Sequence, residues 1–76
     1  MEMKNFIQLF AEQFDELDAN TLTPETIFRD LDQWSSLVAL SIIVMVDEEF
    51  GVLLKGDDIS VSKTINDLYS KIESKL

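Results

Sequence analysis

The feature that most constrains this chain is its middle. From Leu37 to Val46 the residues are apolar except Ser41, with Ser35-Ser36 in front and Phe50-Gly51 behind. A serine pair ahead of an apolar run without turn formers reads as a helix start, because a serine hydroxyl accepts from the free amides of the first turn. Ser35 is the expected N-cap and Ser36 the first helical residue. Gly51 suits the left-handed residue that ends a helix. The pattern predicts a helix over 36–50.

This helix needs partners. Ala39, Ile42, Ile43, Val46 and Phe50 form an inward stripe, and Leu37, Val38, Val44 and Met45 cannot all share it. A helix that is apolar nearly all round is either central to its fold or displays a strip for a partner. A chain of 76 residues buries only about 60% of its unfolded surface, so the second group is expected at the surface. Asp47, Glu48 and Glu49 then cluster near the helix end, where the macrodipole disfavours anions. That mismatch fits a functional surface, and a plain solvated face is the commoner explanation of such a cluster.

The flanking segments complete a helical plan. Phe6, Phe10, Phe14 and Leu17, with Ile7 beside them, predict a helix from Met3 to Leu17. Thr23-Pro24-Glu25 is a helix-start signal, predicting a short helical turn pinned by Ile27, Phe28 and Leu31, with Arg29 and Asp30 facing water. Val52-Leu53-Leu54 reads as a buried loop between Gly51 and Gly56, and Gly56-Asp57-Asp58-Ile59 as a turn or one turn of helix. Thr64-Ile65-Asn66-Asp67 resembles a capping box. It opens a last helix to about Ser74, with Ile65, Leu68, Tyr69 and Ile72 inward and Lys71 and Lys75 near its end. The expected fold is all-α: one domain over 1–76, a small bundle of three main helices plus one or two short ones.

Several functions are excluded or disfavoured. Fifteen acidic residues against six basic ones give a formal charge of -9, which opposes binding to nucleic acid or to anionic membranes. It favours steering toward basic protein patches. The longest apolar stretch is too short to span a bilayer, and Met1-Glu2-Met3-Lys4 is no basic leader. There is no histidine and no cysteine, so Ser36 has no imidazole base and no zinc set is available. The aspartates do not follow calcium-loop spacing, and no glycine-rich phosphate loop exists. These absences point away from an enzyme acting alone. Ser36 remains, presenting a hydroxyl at a positively polarised helix end where a phosphate ester would be well placed.

The ordered set Trp34-Ser35-Ser36-Leu37, Asp47-Glu48-Glu49-Phe50-Gly51-Val52 and Thr64-Ile65-Asn66-Asp67-Leu68 resembles the acyl carrier proteins and the related peptidyl carrier domains. The resemblance covers nearly the whole chain. It implies that Ser36 carries a covalent 4′-phosphopantetheine drawn from coenzyme A by a phosphopantetheinyl transferase. It also implies an arm whose thiol holds acyl groups as thioesters for acyl-transferring or condensing enzymes. Ile42, Val46, Leu53 and Ile65 are then candidates to shelter the acyl chain. A cytoplasmic monomer, not inserted in a membrane, is expected.

Two departures shape the expectations. Ser35 stands where the family usually has aspartate, so recognition by the transferase is less fixed by sequence while helix capping is preserved. Val38 and Ser41 stand where many members are acidic. Docking is therefore expected to rest on apolar Leu37, Val38, Val44 and Met45, with Asp47 and Glu48 as the rim. Two further readings are an unmodified carrier-fold interaction domain and an aminoacyl or peptidyl carrier.

Overall fold

The computed structural model describes residues 2–76. Met1, part of the expected domain and of the N-terminal stretch read above, lies outside the described residues. Four helices follow in order: α1 (Met3–Ala11), α2 (Ser36–Phe50), α3 (Gly56–Ser60) and α4 (Ile65–Glu73). Two 3-10 turns, Ala19–Thr21 and Phe28–Asp30, lie between α1 and α2. Among the described residues there is no strand, and the all-α bundle with three main helices stands.

The cap chemistry explains the boundaries. Ser35 is extended (φ -156), its hydroxyl accepts from the Val38 amide at 3.2 Å, and α2 ends at Gly51 with φ 65. At α4 the Thr64 hydroxyl accepts from the Asp67 amide at 3.1 Å, and the Asp67 carboxylate accepts from the Thr64 amide at 3.0 Å. The capping box is thus complete with aspartate in the glutamate position.

Two boundaries differ from expectation. Helix α1 stops at Ala11 rather than Leu17. Gln13 and Phe14 donate to Phe10 and Ala11, three residues back, and Glu16 takes a left-handed φ of 58. These tight turns keep Phe14 on the buried side, so the apolar spacing outlasts the helix. Nor does a helix start at Thr23-Pro24. Thr26 Oγ1 accepts from the Thr23 amide at 2.9 Å and closes a turn there, and the helical turn comes at Phe28.

The core is one cluster of aromatic and aliphatic side chains. Phe6, Phe10 and Phe28 are fully buried beside Ile42, Val46, Ile65, Leu68 and Ile72. Ring pairs run Phe6–Phe10 (6.1 Å), Phe10–Phe28 (6.0 Å) and Phe28–Trp34 (4.9 Å), leading from α1 toward the start of α2. The long α1–α2 connection is tied at its middle: Ile27 bridges Thr64, and Ile65 and Asn66 donate to the carbonyls of Thr26 and Pro24.

Candidate functional site

The start of α2 is built by what precedes it. Trp34, half-buried against Phe28 and 6.2 Å from the Phe14 ring, anchors the loop. Its amide donates to the Leu31 carbonyl at 3.0 Å. Ser35 follows and caps the helix, which leaves Ser36 exposed as the first residue of α2. Among the described residues the Ser36 hydroxyl has no hydrogen-bond partner, and no acid stands in the first turn.

The electrostatics suit an anion. Ser35 Oγ takes the Val38 amide and the Ser35 carbonyl takes Ala39 N at 3.0 Å. The amides of Ser36 and Leu37 remain among the unpaired first-turn donors that carry the helix's positive end. A depression of about 470 Å3, lined by Gln13, Asp15, Gln33, Ser35, Leu37, Val38 and Ser41, lies alongside. An exposed oxygen with no bond to break, free amides and open space beside it fit a phosphodiester at Ser36.

The expected partner strip is partly redrawn. Leu37 and Val44 are exposed (73% and 48%), as are Asp47 and Glu48. Met45 is not: it is 6% exposed and belongs to the core. Val38 is half-buried and packs against the core. Met45 follows Ile42 by three positions and Val38 by seven, which turns it to the buried side. The residue that sequence reasoning missed is Leu40, 56% exposed. It falls three after Leu37 and four before Val44, and that spacing was the available signal.

The acyl-shelter residues divide as well. Ile42, Val46 and Ile65 are fully buried and meet in one cluster. Leu53 does not join them. It is 67% exposed while Val52 and Leu54 are buried at 4% and 2%, because extended backbone alternates its side chains. Arg29, expected to face water, instead donates through Nη1 to the Ser62 carbonyl at 2.7 Å and through Nη2 to the Ile59 carbonyl. Among the described residues no cluster of acids could hold a metal, and no helix is long and apolar enough to cross a membrane.

A family model described as the phosphopantetheine attachment site matches residues 5–72, from within α1 to near the end of α4. No curated protein matches the chain.

Proposed function

The chain belongs to the phosphopantetheine attachment-site family, defined by covalent 4′-phosphopantetheine, and from that premise we propose that Ser36 is the attachment point of a carrier that shuttles acyl groups between enzymes. The observation that carries the reading is the Ser36 hydroxyl, exposed and unbonded at the first residue of α2, inside the matched segment.

When bound, the group supplies a terminal thiol, which a cysteine-free chain lacks. Ser36 offers the oxygen that forms the phosphodiester with the pantetheine-bearing phosphate of coenzyme A, the pyrophosphate bond breaks and the nucleotide part leaves, and the transferase supplies the base that takes the hydroxyl proton, since this chain has no histidine. Ser35 holds the helix end rigid, so Ser36 is presented at a fixed place. Leu37, Leu40 and Val44 give partners an apolar strip, with Val38 on its buried shoulder and Asp47 and Glu48 as a rim that steers basic surfaces. Ile42, Val46 and Ile65 form the interior that would shelter an acyl chain.

Carrier domains of this family generally act on behalf of enzymes and meet phosphopantetheinyl transferases. For this chain the finer reading is a non-catalytic cytoplasmic monomer, one domain over 1–76, serving acyl-transferring or condensing enzymes. The pathway is of fatty-acid or specialised lipid or polyketide type.

Intact mass after incubation with coenzyme A and a broad-specificity transferase tests the proposal. A gain of one phosphopantetheine that vanishes in Ser36→Ala is expected. No gain, or a gain that survives the substitution, overturns it and leaves the unmodified interaction domain as the better account.

A further inference from the structure

Helix α3 is the shortest helix in the fold, and charged side chains hold both its ends. At its start, Asp58 Oδ2 accepts from the Lys55 amide at 2.9 Å and lies 3.7 Å from the Lys75 ammonium. At its end the Arg29 guanidinium, reaching from the 3-10 turn Phe28–Asp30, donates to the carbonyls of Ile59 and Ser62. The Ile59 carbonyl lies in the last turn and also accepts from the Ser62 amide at 3.1 Å, and the Ser62 carbonyl lies just past the helix end, so the guanidinium sits at the partially negative end of α3. The guanidinium carbon also stands 5.1 Å from the Phe28 ring centroid, which fixes its direction. Ser62, 3% exposed, closes the arrangement by donating from Oγ to the Asp58 carbonyl at 2.8 Å.

This segment is a wall of the apolar interior. Ile59 is 5% exposed and Leu54 2%, and both belong to the cluster that contains Ile42, Val46 and Ile65. Those three are fully buried, so nothing the size of an acyl chain reaches them unless a wall moves. Helices α1, α2 and α4 each bury three core residues and α3 buries one. Local opening follows the smallest buried contact area, so α3 is the wall that yields first, and Arg29 ties it to the 3-10 turn Phe28–Asp30.

We propose that Arg29 is a positioning residue that latches α3 shut, so that one guanidinium sets how readily an acyl chain enters between Ile42, Val46 and Ile65. The inference rests on the carrier reading for its purpose, whereas the latch itself is a property of the unmodified chain. The tether spans a large separation in sequence and ends on backbone carbonyls, so cargo that enters must break or stretch both bonds. A guanidinium can hold two carbonyls at once through its fork, which an ammonium cannot do with the same geometry.

The test uses the full unmodified chain, so its outcome is independent of whether Ser36 accepts a prosthetic group. Arg29→Met keeps the apolar stem and removes the donors. Amide exchange over residues 52–62, read by mass spectrometry, is expected to accelerate about tenfold, the loss of a hydrogen bond to a charged group, while residues 3–11 hardly change. The neutral probe N-phenyl-1-naphthylamine should bind R29M more tightly than the parent. Arg29→Lys, with charge kept and the fork lost, should fall between the two, and it supplies the same comparison if R29M does not fold. Equal exchange over 52–62, acceleration spread equally over 3–11, or unchanged probe binding overturns the latch.

Discussion

The Ser35 hydroxyl accepts the Val38 amide at 3.2 Å, so the capping of α2 rests on the residue before the proposed attachment point. The two serines are adjacent in sequence and separate in duty. Ser36→Ala should change stability by less than about 0.5 kcal/mol. Ser35→Ala should lose about 1 kcal/mol. Urea unfolding followed by circular dichroism measures both, and the opposite ranking would assign the cap to Ser36.

The redrawn strip separates folding from docking. Leu40→Glu places a charge on an exposed position, so stability should shift by less than about 0.5 kcal/mol, while binding to native partners weakens. Met45→Glu buries a charge without a partner and should unfold the domain, since such burial costs several kcal/mol. Val38→Glu, on a half-buried shoulder, should fall between. Thermal melts give the ranking, and a folded, fully stable Met45→Glu would return Met45 to the surface.

Acid stability should depend on two aspartates. The Asp58 carboxyl is held below its ordinary value of 3.8 chiefly by the Lys55 amide, against a pull upward from desolvation, with Lys75 and Lys71 adding to the lowering. Asp67 is lowered chiefly by the amides of Thr64 and Lys63. A lowered folded pKa stabilises the fold above the unfolded value and loses that contribution as pH falls through the folded value. With a net charge of -9, acid also relieves repulsion, so the aspartates are read by difference. The gap in melting temperature between the parent and D58N/D67N should be full at neutral pH and shrink below pH 3.8. A constant gap would contradict this account.

Gly51 tests the end of α2. Its φ is 65, and a Cβ there would meet nothing within 4 Å. Gly51→Ala should therefore cost about 1 kcal/mol through backbone strain alone, with Gly51→Asn costing less because asparagine tolerates the left-handed region. Equal stability of the alanine variant in urea would show that the helix end relaxes.

Much of this was legible because local chemistry announced it. Ser35, Gly51, Thr64 and Asp67 act within one helical turn of themselves, and each was found where its side chain or its conformational freedom predicts. The phase of α2 was harder to read. Leu40 and Met45 differ little in hydropathy, and only the neighbouring helices decide which of them faces inward. The Arg29 contacts were invisible for a related reason: carbonyls of Ile59 and Ser62 carry no side-chain signature, and an arginine beside an aspartate reads as a solvated pair. The length of α1 was misjudged because tight turns after Ala11 preserve the spacing of Phe14 without preserving the helix.

Trp34 is the chain's single tryptophan, and its ring lies 4.9 Å from Phe28, two residues ahead of Ser36. The protein thus has a built-in optical reporter at the threshold of its proposed attachment point. Emission from Trp34 should red-shift and broaden when the α1–α2 connection loosens, before far-ultraviolet ellipticity reports any loss of helix. A transferase that grips this loop would announce its arrival in the same signal, without a label.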